Sequence, residues 1–311
     1  MTLTPLPVPT RVYGGEGVDT YARRAATRNG TQARWIDKML WETGTARTLS
    51  PHHPARLQAW RELGGLHESA FTTPDTINGE WVTDRDLCIQ CTRGNPAHGQ
   101  LPRVGLVCVR HRRWLGAPGQ PRLHAHPELL TAERHYRARL ATRDVMFDSP
   151  PMLVGAECAR VALSPSTITA RQDRAGLSLD AVIYPEHVAF ARLVTSPGLL
   201  TWVTDPGTDP AAVRRLLDAR ARHVVPEEGN NEPWRASTRL QTILFRVRSF
   251  ARNAPPGAPV TDPWGLLRHT TLDTGPATDG QAQRLCVTAG ASTTVPTKDA
   301  RNAASLGVST A

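Results

Sequence analysis

The stretch Asp86–Leu115, DLCIQCTRGNPAHGQLPRVGLVCVRHRRWL, holds three of the five cysteines of this 311-residue chain. Cys88 and Cys91 are separated by two residues. Sixteen residues later, Cys108 and His111 repeat that spacing. Two closely spaced ligand pairs on separate knuckles can close a tetrahedron around one zinc ion. GNPAHGQLPR between them supplies turn residues and VGLVCV a strand, the outline of a zinc ribbon. The competing reading is four unrelated residues in a reducing compartment. Three thiolates and an imidazole fill four positions and leave none for substrate. The expected ion is therefore a single structural zinc, whose binding energy is folding energy. His98 is a rival ligand, but it has no second ligand at short spacing. Cys158 reads as a small buried hydrophobe, and Cys286 as incidental.

The residues beside the cage are strongly basic. Between Leu101 and Met146 there are nine arginines and three acids, six of the chain's net +9 charges. Arg110, Arg112 and Arg113 flank His111 directly. A rigid ribbon with such a rim can clamp phosphates; the alternative is a solvated basic face. Arg supplies 35 of the 37 basic side chains, which fits a GC-rich genome. That does not explain the surplus over acids, which favours a polyanionic partner such as duplex DNA.

Outward from the ribbon, the chain reads as mainly α: helical bundles with helix-turn-helix-like units and an inserted zinc ribbon of small β content. Residues 1–80 form an N-terminal helical region, 81–118 the ribbon, 119–255 a C-terminal helical domain, and 256–311 a linker and disordered tail. After a Pro- and Gly-rich leader, Val18, Tyr21, Ala22, Ala25 and Ala26 share one helical face. Asn29 and Gly30 end that helix. Thr31 is the expected cap of the next helix, with Ile36, Met39, Leu40 and Thr43 on one face. A third helix from Pro54 buries Leu57, Trp60 and Leu63. The eight tryptophans are expected to anchor the core. A polar-faced helix is expected from Pro127 to Arg143. Further helices start at Pro210 and Pro233, the latter burying Leu240, Ile243, Leu244 and Val247. Asp84, Asp86, Glu128 and Glu133 are expected as surface charge, and His52 and His53 as the solvated start of a helix.

Residues 152–176 form a second candidate reader. Ser164 can cap a helix with Pro165 at its first position. Ser166, Thr167, Thr169 and Arg171 would then line a recognition helix in the major groove. A plain helical hairpin fits the same pattern.

LPVPTRVYGGEGVDTYARRAATRNG followed by the CxxC…CxxH phrase resembles the TniQ family over about residues 5–118. Ile89 stands where many relatives carry Pro. The resemblance implies a non-enzymatic DNA-targeting factor of transposons that combines helix-turn-helix and zinc-ribbon elements. It implies Cys88, Cys91, Cys108 and His111 as zinc ligands, and an AAA+ transposition regulator or other recombination protein as partner. No Gly-rich phosphate loop, nucleophile elbow or paired-acid site competes, so no enzymatic activity is expected. A zinc- or acid-dependent nuclease and a protein-interaction scaffold are the alternatives. With no apolar run of membrane-spanning length and no secretory leader, the expected location is cytoplasmic, at the nucleoid.

Overall fold

The computed structural model describes residues 3–46, 50, 52–77 and 79–253. The chain divides into two units, Met1–Thr271 and Leu272–Ala311. The second unit, the expected tail with Cys286, and Trp264 lie outside the described residues.

The fold is mainly helical with small antiparallel strand pairs, as the sequence pattern predicts. Three helices come first: α1 (Val18–Arg28), α2 (Ala33–Glu42) and α3 (Pro54–Gly64). The five apolar residues predicted for α1 are all buried. Tyr21 meets Trp60 edge to face, with ring centroids 6.4 Å apart, and its hydroxyl donates to the Thr10 carbonyl of the leader. Arg56 lies in the same cluster. It is buried yet satisfied, at 2.8 Å from Asp19 and 2.9 Å from Asp37. Burying a cation is tolerable only with such partners.

Two local expectations fail here. Thr31 does not cap α2; Gln32 occupies that position and its side chain makes no capping bond. Met39 faces solvent, because only Ile36 and Leu40 of α2 point inward. The tryptophans also divide. Trp60 and Trp114 are fully buried, whereas Trp35, Trp41, Trp81 and Trp234 are each more than half exposed.

Six short strands follow: β1 (Thr76–Ile77), β2 (Glu80–Trp81), β3 (Asp84–Asp86), β4 (His98–Gln100), β5 (Val107–Cys108) and β6 (Arg113–Trp114). They pair as three antiparallel hairpins. The leader joins the β3–β4 hairpin through a bridge from Glu16 to Gly99. Gly99 has no room for a side chain there, since an added Cβ would run into the Gly15 carbonyl.

The larger core is built by α4 (Pro127–His135), α5 (Pro150–Ala162), α6 (Pro165–Ala175), α7 (Leu179–Val182), α8 (Tyr184–Val194), α9 (Pro197–Thr204), α10 (Pro210–Val224) and α11 (Pro233–Asn253). Leu240, Ile243, Leu244 and Val247 of α11 are fully buried, as their spacing predicts. Asp209 caps α10, accepting from Ala211 at 2.9 Å and Ala212 at 3.2 Å. The helix expected from Pro127 to Arg143 is continuous but changes pitch. α4 gives way to a π-helical turn at Tyr136–Leu140 and a 3-10 turn at Ala141–Arg143. Apolar spacing cannot separate these, because all three keep residues three to five apart on one side. No helix among the described residues is long and apolar enough to cross a membrane.

Glu133 joins the strands to this helical core. The sequence places it at the surface, but it is fully buried. Its carboxylate accepts from the backbone N–H of Gly105 at 2.9 Å and Val107 at 3.3 Å, the Tyr184 hydroxyl at 2.8 Å and Arg137 at 2.6 Å. Gly105 sits against that cluster, where an added Cβ would overlap both the Tyr184 hydroxyl and the Glu133 carboxylate. Gly105→Ala is therefore expected to destabilise the fold by about 1–3 kcal/mol through overpacking. Thermal unfolding checks this: an unchanged midpoint would mean that the cluster yields to the extra methyl.

Candidate metal centre

Each ligand pair sits on a knuckle at the end of a hairpin. After β3, the chain turns tightly from Cys88. Thr92 N–H donates to the Cys88 carbonyl at 3.0 Å, and Gly94 N–H to Ile89 at 2.7 Å. Arg93 and Gly94 follow with φ of 54° and 86°. The second knuckle is the loop between β5 and β6, where Cys108 pairs with Arg113 across the hairpin. Arg112 takes φ 48° to close it.

These turns bring the four expected ligands together. Their donor atoms, three Sγ and one imidazole nitrogen, all lie within 4.8 Å of one another. His111 Nδ1 is 3.6 Å from Cys88 Sγ, 3.2 Å from Cys91 Sγ and 3.6 Å from Cys108 Sγ. Cys91 Sγ lies 3.8 Å from Cys108 Sγ. A tetrahedral ion with Zn–S and Zn–N bonds of ~2.3 and ~2.0 Å places sulfurs ~3.8 Å apart and sulfur ~3.5 Å from nitrogen. The observed separations fit that arrangement, so the cluster can hold one metal ion. His98 is not part of it. It faces Asp86 at 2.7 Å instead. Cys158 is fully buried in α5, away from the cluster.

Cys88 and Cys108 are buried and pack with Leu115 and Val104, while Cys91 is exposed. Burial pushes the Cys108 thiol up to about 12. Burial also raises the Cys91 thiol, partly offset by its contact with Cys108 and by the nearby Arg110 charge. Both sulfurs thus keep their protons at neutral pH until a cation displaces them.

Gln120, in the segment GAPGQP, carries no ligand type and no helical or strand pattern that would single it out in the sequence. It is buried with φ 44°. Its amide accepts from Ile89 N–H at 2.8 Å and donates to the Leu87 carbonyl at 2.8 Å, holding the first knuckle from both sides of Cys88. Arg113 donates to the Gln120 carbonyl at 2.6 Å, which ties in the second knuckle. A polar residue between Gly119 and Pro121 is the only sequence signal of this role.

The next segment adds a third edge. Trp114 N–H donates to Pro121 at 3.0 Å, Leu123 N–H donates to Arg112 at 2.7 Å, and Arg122 bridges Arg113. Side chains alternate across this small sheet. Val107, Trp114 and Leu123 are fully buried in the helical core. Cys108, Arg113 and Arg122 take the opposite face, toward the cage.

The basic cluster is less uniform than its sequence suggests. Arg137 pairs with Glu133, Arg143 donates to Thr195, and Arg103 lies 3.8 Å from Asp144. Arg113 is half-buried by its bond to Gln120. Arg110 and Arg112 are exposed, and neither has an ion-pair partner among the described residues.

The 152–176 segment does form two helices, α5 and α6, with Ser164 accepting from Thr167 N–H at 3.1 Å. Thr167 also donates to the Gly229 carbonyl at 3.2 Å. Arg171 lies 2.9 Å from Glu186 and donates to Val182 at 3.1 Å. These two residues brace α6. Ser166 and Thr169 face solvent.

Three predictions follow from the cage. Elemental analysis of the purified protein is expected to give one metal ion per chain, lost in Cys108→Ala. Gln120→Ala is expected to keep the fold but weaken metal affinity by about 10- to 100-fold, as loss of an outer-shell support does. Competition with a chromophoric chelator measures this, and unchanged affinity would strip Gln120 of the role. The raised Cys91 and Cys108 thiols also set the pH dependence. Metal must displace both protons, so affinity is expected to rise with pH across neutrality by roughly two log units per pH unit from these two groups. A flat titration between pH 6 and 8 would contradict it.

Compared with protein-family models, curated proteins and solved structures, the chain matches none.

Proposed function

We propose that this chain is a non-enzymatic, zinc-stabilised DNA-binding adaptor, as its resemblance to the TniQ family implies. The observation that carries the reading is the pair Arg110 and Arg112, exposed on the knuckle that also presents His111 and without an ion-pair partner among the described residues. Some other arginines are matched with acids, as in Arg24–Glu16 and Arg160–Asp180. Zinc suits three thiolates and one imidazole, and a filled tetrahedron leaves no position for substrate. The metal's part is to hold the knuckles; the arginines meet phosphate.

Phosphate contacts position a protein on DNA without reading bases. Any base reading falls to the solvent side of α6, where Ser166 and Thr169 are available. Thr167 and Arg171 support it from behind. The same reading gives duplex DNA as the main partner, an AAA+ transposition regulator or other recombination protein as the second, and the nucleoid as the location.

A protein-interaction scaffold is the second reading. It is favoured by Trp35, Met39 and Trp41, exposed together on the ten residues of α2.

Duplex binding across a salt series tests the first reading. With about four phosphates engaged, the log–log slope is expected near −3.6. Replacing Arg110, Arg112 and Arg113 with Gln should flatten that slope and weaken all sequences alike. Equal affinity of wild type and triple variant at every salt concentration would remove the ribbon from the DNA interface and leave the scaffold reading.

A further inference from the structure

Four exposed arginines lie on the segments that build or flank the cage: Arg93 on the first knuckle, Arg110 and Arg112 on the second, and Arg122 on the third edge of the sheet. None has an ion-pair partner among the described residues. We infer that Arg93 and Arg122 complete a phosphate-binding surface with Arg110 and Arg112, one that follows the sugar–phosphate backbone of a single DNA strand past the metal. This rests on the DNA-binding reading above and deepens it.

The first support is the geometry of the sheet. Cys108 pairs with Arg113, and Arg113 bridges Arg122. Cross-strand partners share a face, and Cys108 turns its sulfur into the cage. Arg122 is therefore set on the metal's side, although thirteen residues separate it from Cys108 in the chain. Arg93 follows Cys91 by two residues and stands on the other knuckle.

The second support is charge. A zinc ion with three thiolates and a neutral imidazole carries one net negative charge. One guanidinium balances it, and four are present. Asp86, the acid nearest Cys88 along the chain, is engaged by His98 at 2.7 Å. The surplus repels itself in the free protein and is relieved by a bound polyanion.

Backbone conformation is the third. Arg93 and Arg112 sit at φ of 54° and 48°. Glycine is relaxed at such angles, whereas a residue with a Cβ is strained there. Two arginines held at positions that suit glycine point to a use for the side chains beyond closing a turn.

The test is the salt dependence of binding to a mixed-sequence duplex, with metal content measured for every protein. Arg93→Gln combined with Arg122→Gln is expected to reduce the slope by about 1.8, with one metal ion still bound. Arg93→Lys with Arg122→Lys, which keeps the charges, is expected to restore most of it. An unchanged slope in the Gln pair, beside a reduced slope in Arg110→Gln with Arg112→Gln, would overturn this inference and leave DNA binding standing. A slope lost equally in the Gln and Lys pairs would also overturn it, because charge would not be the cause. Wild-type protein that binds no duplex would remove the reading on which the inference depends.

Discussion

A single buried carboxylate joins the two halves of this architecture. Glu133 receives four donors, two from the backbone leading into β5, one from Tyr184 of α8 and one from Arg137. An ionised carboxylate taken out of water is costly unless its lone pairs are filled. Here the partners come from a strand, a second helix and its own helix, so the charge is tolerated only when all three are assembled. Arg85 performs the complementary task from β3. Its largely buried guanidinium donates to the Leu101, Val104 and Gly105 carbonyls, and burial lowers its pKa. The turn that precedes β5 is thus held by a carboxylate through its N–H groups and by a guanidinium through its carbonyls.

This anchoring lets a very small sheet serve two environments. Period-two alternation sends Val107, Trp114 and Leu123 into the helical core and Cys108, Arg113 and Arg122 outward. Each large apolar side chain buried on the inner face contributes on the order of 2 kcal/mol. The outer face has almost no apolar packing of its own beyond Leu115 and Val104. There the Gln120 clamp supplies order, and an ion held by the four ligands would add to it.

The helices and the cage were legible because each obeys a short-range rule. Val18, Tyr21, Ala22, Ala25 and Ala26 repeat at the helical period, and Asp209-Pro210 announces a helix start. Cys88, Cys91, Cys108 and His111 follow ligand spacing, and the turn geometry follows from it. What escaped depends on partners distant in the chain. Glu133 looks like any helix-surface acid until Tyr184, fifty-one positions on, closes over it. Gln120 looks like loop filler until the Cys88 knuckle folds against it. Tryptophans were expected inside on hydrophobicity alone. On α2, however, the inward stripe is taken by Ile36 and Leu40, so Trp35 and Trp41 are left outside. Arg171 has the position of a groove-reading residue in its helix, but Glu186 claims its guanidinium.

The inner face of the sheet also decides what kind of part the metal ribbon is. A small sheet that carries four clustered metal-ligand side chains could be a cassette, cut from one protein and grafted onto another. Trp114 argues against that here: its ring packs edge-on against Tyr184 at 5.3 Å, on a helix some seventy residues away. A peptide ending soon after Leu123 would carry all four ligands yet leave one side of its sheet bare to water. The ribbon is less a module inserted into the helical body than one wall of it, and evolution could exchange the wall only together with the room behind it.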